Sequence, residues 1–135
     1  MTEIDRLKRA INDSSELSKA GDNKRALKLL DDSIAEAIRD KRDKWVCTLS
    51  RHAAVISDYM GDLHLAKGYY ERALQHDPDN SITLCSLADL LRRLGEIGLA
   101  KQCAAKSYQL STQRGNELDR TVIDLLLKTW PELGS

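Results

Sequence analysis

Several features that would point to a particular location are missing from this sequence. No stretch reaches the length of a transmembrane helix, and the first residues, MTEIDRLKR, contain neither the apolar run nor the cleavage site of a signal peptide. Cys47, Cys85 and Cys103 are an odd number of cysteines, lie far apart and form no CxxC motif, which favours reduced thiols over a disulfide framework. We therefore expect a cytoplasmic protein.

The sequence also lacks an excess of charge of either sign and contains only two prolines. Lys plus Arg and Asp plus Glu both number 21, which argues against nucleic acid or an anionic membrane as the main partner. The many Ala, Leu, Lys, Glu and Arg residues favour an all-helical fold. A chain of 135 residues has the size of a single domain.

No motif of a catalytic or metal site is present. The phosphate loops GxGxxG and GxxxxGK[ST] and the metal motif HExxH are absent. His64 and His76 fall at the two ends of one predicted helix, so with His52 they form no metal spacing. Cys85 has no local His that would lower its pKa, and Asp31–Asp32 is typical of a solvated helix surface. We predict no catalytic residue, no metal and no cofactor.

The sequence does contain a helical pattern, which is clearest between His52 and Asn80. Ala66, Tyr70 and Ala73 lie at offsets 0, 4 and 7, on one helix face. The two alanines are small, so a second helix can approach closely on that face. The Gly61-Asp62 pair suits a helix end followed by an N-cap, and Pro78 suits the end of the next helix.

The same pattern recurs along the chain. A shift of 34 residues superimposes four of its positions: Gly61 on Gly95, Ala54 on Ala88, Ala66 on Ala100 and Ala73 on Ser107. A weaker copy lies 40 residues upstream and contains Gly21, Asp22, Ala26, Leu30 and Ser33. Self-similarity at such a period is typical of helical solenoids.

These residues resemble the tetratricopeptide repeat family, whose pattern has this length. The stretch Cys47–Asn80 matches best, through Ala54, Gly61, Ala66, Tyr70, Ala73 and Pro78. The resemblance implies one domain over residues 1–135, with repeats at about 7–40, 47–80 and 81–114. The implied fold is a right-handed α-solenoid of three helix pairs with a seventh, capping helix at about 116–130.

The charged run Arg39–Lys44 is typical of a solvated helix surface and turn. It contains neither Gly nor Pro, so we expect the second helix to be longer than usual. The capping helix has a polar stripe and a broad apolar face, the latter formed by Leu118, Val122, Ile123, Leu125, Leu126, Leu127 and Trp130. A single contact does not require so broad a face. We hypothesise that part of it, near Trp130, contacts a second copy or a partner.

The resemblance also implies a partner-binding groove lined by the first helix of each repeat. The implied groove residues of the first repeat are Lys8, Ile11 and Ser15, with Ser18 and Lys19 on the same face. Those of the second repeat are Thr48, Arg51, Val55, Asp58 and Tyr59, and those of the third are Ile82, Cys85, Asp89, Arg92 and Arg93. Arg51 and Arg92 could bind a carboxylate through two hydrogen bonds. Tyr59 offers a flat apolar surface.

We therefore predict a non-catalytic scaffold for protein–protein interaction that binds a partner peptide or helix in the groove. The clamp residues of chaperone-tail-binding tetratricopeptide domains are absent, which argues against that ligand. One alternative is a self-assembling structural module that forms a homo-oligomer through the C-terminal helix. A further alternative, RNA binding by a helical repeat, is disfavoured by net neutrality.

Overall fold

A computed structural model describes residues 2–135 and shows only helices in that range. The seven α-helices are α1 (Glu3–Lys19), α2 (Asn23–Arg39), α3 (Asp43–Tyr59), α4 (Leu63–His76), α5 (Ser81–Arg93), α6 (Ile97–Arg114) and α7 (Glu117–Thr129), followed by a 3₁₀ helix (Pro131–Gly134). The predicted all-helical class and helix number are thereby confirmed. Within residues 2–135 no helix combines the length and the apolar character that crossing a membrane requires.

The chain divides into two compact units, with the boundary between Asp77 and Pro78. The N-terminal unit contains α1 to α4, in which each helix packs against the next and α1 also contacts α3. The C-terminal unit contains α5 to α7 and the 3₁₀ helix, and α7 packs on both α6 and α5. The predicted single domain over residues 1–135 remains a prediction.

Small buried residues allow close helix packing in both units. Ala66 and Ala73 of α4 are fully buried, and Tyr70 between them is nearly so. The corresponding positions of the other copies are buried too: Ala26, Leu30 and Ser33 upstream, and Ala100 and Ser107 downstream. Ala54 and Ala88, which correspond to each other on α3 and α5, are also buried. The pattern that is visible in the sequence is therefore the packing surface of the helices.

The turns inside the helix pairs repeat one hydrogen-bonding scheme. At the turn after α3, the N–H of Gly61 donates to the carbonyl of Asp58 at 2.9 Å and the N–H of Asp62 donates to that of Ser57 at 3.0 Å. Gly61 has a φ of 84°, which is why glycine suits this position. The Asp62 carboxylate then accepts from the N–H of Leu65 at 3.1 Å and caps α4.

The charged run after α2 forms the same turn without glycine. Lys41 has a φ of 56°, in the left-handed region, and its N–H donates to the carbonyl of Ile38 at 3.1 Å. The N–H of Arg42 donates to the carbonyl of Ala37 at 2.8 Å. Helix α2 ends at Arg39, so the charged run supplies the turn and the ends of the two flanking helices. At 17 residues α2 is longer than α4, which has 14, as expected.

Capping boxes begin the first and the last α-helix. The Thr2 hydroxyl accepts from the N–H of Asp5 at 3.1 Å, and the Asp5 carboxylate accepts from the N–H of Thr2 at 3.2 Å. Asn116 and Asp119 make the equivalent pair of bonds at the start of α7. Each box satisfies two N–H groups that a helix end leaves without a partner, so both helices begin where the sequence predicts.

Candidate functional site

A cleft of about 450 Å³ lies between α1 and α3 in the N-terminal unit. We name it the α1–α3 cleft; its lining residues are Ser15, Ser18, Lys19, His52, Val55, Ile56 and Tyr59. Helix α1 supplies Ser15, Ser18 and Lys19, which share one helix face because they lie at offsets 0, 3 and 4. Helix α3 supplies the other four at offsets 0, 3, 4 and 7 from His52. The sequence predicts an inward-facing position for five of these residues, and the structure places them together: Ser15, Ser18, Lys19, Val55 and Tyr59.

The α3 side of the α1–α3 cleft is apolar. Tyr59 is 87 % exposed and Val55 is 47 % exposed, although both are large side chains with apolar surface. Ile56 is buried and forms the base of the cleft beside them. A ligand side chain that covers Val55 and Tyr59 removes this surface from water, at about 25 cal/mol per Å² of apolar area.

The polar groups of the α1–α3 cleft are cationic or neutral. Lys19 makes only a 3.7 Å ion pair with Glu16, and both side chains are about three-quarters exposed. Arg51 adjoins the cleft through His52; its Nε is buried and has no hydrogen-bond acceptor among the described residues. Burial, and next the positive charge of Arg51, lower the pKa of His52. His52 is therefore neutral at neutral pH.

The other groove residues predicted on α1 and α3 lie on the same helices but do not line this cleft. Lys8 is exposed and Ile11 is half-buried. The Thr48 hydroxyl donates to the carbonyl of Lys44 at 3.0 Å and so is occupied within α3. Arg51 is half-buried and follows Thr48 by three residues on the same helix face. Their role in binding stays a prediction.

The predicted groove residues of α5 belong to the C-terminal unit and are partly engaged with each other. Asp89 accepts hydrogen bonds from Arg92 Nη2 at 2.8 Å and from Arg93 Nε at 3.0 Å. Arg92 therefore already has a carboxylate partner, unlike Arg51. Burial, and next the charge of Asp89, raise the pKa of Cys85 to about 11. The thiol of Cys85 is consequently protonated at neutral pH and is a weak nucleophile.

Three carboxylates meet where α1, the end of α2 and the following turn come together. One oxygen from each of Glu3, Glu36 and Asp40 lies within 4.8 Å of the others. All three are ion-paired. Arg42 Nη2 lies 3.0 Å from Glu3 Oε2, Arg6 Nη2 lies 2.7 Å from Glu36 Oε1, and Arg39 Nε lies 4.0 Å from Asp40 Oδ1. These arginines compensate the acidic cluster, so it is best described as an ion-pair network at the helix ends.

A second cleft of about 390 Å³ lies beside α2 and α4 and was not anticipated from the sequence. We name it the Tyr69 cleft; it is lined by Asp31, His64, Leu65, Gly68, Tyr69 and Arg72. The Tyr69 hydroxyl donates to Asp31 Oδ1 at 2.6 Å, so Asp31 is not simply solvated as expected. Asp31 and Tyr69 are 38 residues apart, and no local sequence pattern signals such a pair.

The capping helix exposes a different part of its apolar face from the part that we hypothesised. Trp130 is only 7 % exposed and so offers little surface to a partner. It lies between α7 and the 3₁₀ helix Pro131–Gly134, which packs back on α7. The expected contact near Trp130 stays a prediction. Leu118 and Leu125, seven residues apart on one face, are 55 % and 52 % exposed.

The comparison with known families agrees with this architecture. The model of the tetratricopeptide repeat matches residues 69–102, which run from α4 through α5 into α6. The matched stretch includes Ala73, Pro78, Gly95 and Ala100, which carry the resemblance described above. The resemblance to the tetratricopeptide repeat family is therefore confirmed. Repeats of this family generally mediate protein–protein interactions and are generally non-catalytic. No curated protein shows significant sequence similarity to the chain.

Proposed function

We propose that the chain is a non-catalytic protein-interaction module that binds a segment of a partner protein in the α1–α3 cleft. The single observation that carries this proposal is the exposure of Tyr59, which places an almost uncovered aromatic ring at the edge of a preformed cleft. Tyrosine is enriched among the residues that dominate binding energy at protein interfaces. The family match supports the same class of function.

A preformed cleft needs little reorganisation to bind a ligand. Ser18 is fixed because its hydroxyl donates to Asn23 Oδ1 at 2.7 Å, and Ile56 is held in the core of the N-terminal unit. Helical elements position Val55 and Tyr59, so the apolar surface exists before a ligand arrives. The partner therefore carries most of the ordering cost of binding. Cys85, Asp89 and Arg92 of α5 remain predicted contributors to partner binding.

Selection from a displayed library of short random peptides tests this function. Peptides selected on the wild-type chain are measured on a Tyr59→Ala/Val55→Ser variant by fluorescence polarisation. We expect an affinity loss of about 30-fold, the effect of removing a strong interface residue. Leu99→Ser is the matched control, because Leu99 of α6 is exposed to about the same extent as Val55.

The outcomes separate clearly. Selected peptides that bind the double variant and the wild type equally well would place the binding surface elsewhere. A library that yields no peptide at all would contradict a peptide-binding function. Circular dichroism of both variants shows whether they retain their helical structure.

A second candidate function is self-association through α7. The exposed pair Leu118 and Leu125 favours it, because a second copy of α7 would cover both leucines. Sedimentation velocity over a wide concentration range tests it, with Leu118→Ser/Leu125→Ser as the comparison. A species that remains monomeric at every concentration would eliminate this candidate.

A further inference from the structure

We infer that the segment bound in the α1–α3 cleft is acidic and carries a bulky apolar side chain beside its carboxylates; this inference rests on the proposed function. The charge and the shape of the cleft each contribute one part of that description. The carboxylates of the ligand lie beside Lys19 of α1 and Arg51 of α3. The apolar side chain covers Val55 and Tyr59.

The cations around the cleft are poorly compensated. No carboxylate belongs to the cleft lining, whereas Lys19 does. Lys19 has only the long, exposed contact to Glu16, and such a pair contributes little free energy in water. A ligand carboxylate can therefore replace Glu16 as the partner of Lys19 at small cost.

Arg51 is the stronger indication of an anionic ligand. Its Nε is buried and has no acceptor, although a buried guanidinium N–H without an acceptor is unfavourable. Its positive charge is close enough to His52 to lower the pKa of that cleft residue. By contrast, Arg92 of α5 already binds Asp89. Arg51 thus adjoins the cleft as a cation whose buried Nε has no acceptor within the described residues.

Other charges on the two helices leave this cationic character in place. Lys8 lies on the same face of α1 as Ser15, seven residues earlier, and is exposed. Asp58, near the end of α3, is half-buried and already has an interaction partner. His52 is neutral, so it neither adds to nor opposes the cations.

The apolar requirement follows from the position of Tyr59 and Val55. Both lie on α3 with Ile56 between them in sequence, and together they form an apolar wall next to the cationic groups. A purely acidic segment would leave this wall in water. A leucine, methionine or aromatic side chain of the ligand would cover it and place neighbouring carboxylates within reach of Lys19.

The peptides selected from the random library test this inference by their composition and charge dependence. We expect an excess of Asp and Glu around a conserved apolar position. Replacing each acidic residue of a selected peptide with Lys should abolish measurable binding. Lys19→Glu and Arg51→Gln should each lower the affinity for the original peptide by about tenfold, because each removes one charge-assisted contact.

Lys101→Glu is the matched control, because Lys101 is exposed on α6 and carries the same charge. It should leave the affinity unchanged. A misfolded Arg51→Gln variant would lose affinity whatever its charge, so the wild-type chain is also measured. Its affinity for the selected peptide should fall steadily as salt concentration rises. Salt-independent binding would overturn the inference.

The results distinguish this inference from the proposed function. Selected peptides that need Tyr59 and Val55 but are neutral or basic would overturn the acidic ligand and leave the cleft as the binding site. Acidic peptides that lose affinity with Lys101→Glu as much as with Lys19→Glu would show non-specific attraction and would also overturn it. Peptides that bind independently of Tyr59 and Val55 would overturn the proposed site itself.

Discussion

The hydroxyl of Tyr69 donates a 2.6 Å hydrogen bond to Oδ1 of Asp31, and this bond joins α4 to α2 within the N-terminal unit. Tyr69 is buried while Asp31 is exposed, so the bond lies at the edge of the core. The two helices that it joins are separated in sequence by α3, which packs against both of them. Loss of this bond therefore affects the arrangement of more than one helix pair.

Tyr69→Phe should lower the free energy of unfolding by about 1–2 kcal/mol, because it removes a hydrogen bond to a carboxylate and leaves the ring in place. Urea denaturation followed by circular dichroism measures the change. Tyr108→Phe is the control, since the Tyr108 hydroxyl has no hydrogen bond among the described residues. Equal stabilities for the two variants would show that the Tyr69–Asp31 bond contributes nothing.

The same bond predicts a dependence of stability on alkaline pH. Burial, and next the hydrogen bond to Asp31, raise the pKa of Tyr69 above its usual value of 10.0. Folding therefore favours the neutral phenol, and the stabilisation is complete below pH 10 and is lost as the unfolded tyrosine ionises above it. Urea denaturation across this range should show a steeper loss for the wild type than for Tyr69→Phe. Parallel curves would contradict the raised pKa.

Two buried serines of α3 should respond in opposite directions to the same substitution. Ser50 is fully buried and its hydroxyl has no partner, whereas the equally buried Ser57 donates to the carbonyl of Ala53 at 2.8 Å. Ser50→Ala should raise the free energy of unfolding by about 1 kcal/mol, because it removes an unsatisfied polar group. Ser57→Ala should lower it by about 0.5–1.5 kcal/mol. Denaturation midpoints that shift together would show that hydrogen bonding does not distinguish the two sites.

Ala66 tests the packing on which the repeat depends. It is fully buried on α4, which packs against α3, so Ala66→Leu should destabilise the fold by about 1–3 kcal/mol through overpacking. Ala35→Leu on α2 is the control, because Ala35 is exposed and the change should stay within about 0.5 kcal/mol. Thermal melting curves compare the two variants. A normal melt for Ala66→Leu would disprove the assigned helix register.

The sequence predicts the helices well because their ends are determined locally. Helix α4 runs from Leu63 to His76, the range expected from Gly61-Asp62 and Asp77-Pro78. The left-handed backbone of Lys41 is not predictable from the sequence, because residues other than glycine rarely adopt it. The burial of Trp130 is not predictable either, because helical periodicity on α7 does not include the 3₁₀ helix that packs back on α7.

The α1–α3 cleft was only partly predictable, for a similar reason. The family resemblance identifies five of its lining residues, because those positions lie on known helix faces: Ser15, Ser18, Lys19, Val55 and Tyr59. The contribution of His52 and the unfilled donor of Arg51 depend on how α1 and α3 approach each other. Such tertiary contacts leave no pattern within either helix, so the sequence does not reveal them.

Chemical-shift mapping with a selected acidic peptide tests the central claim most directly. Titration of the ¹⁵N-labelled chain should move the backbone amide signals of Ser15, Ser18, Val55 and Tyr59 and leave α7 unchanged. Shifts centred on Gly68 in the Tyr69 cleft, or on Leu118 and Leu125 of α7, would contradict the claim that the α1–α3 cleft is where the partner binds.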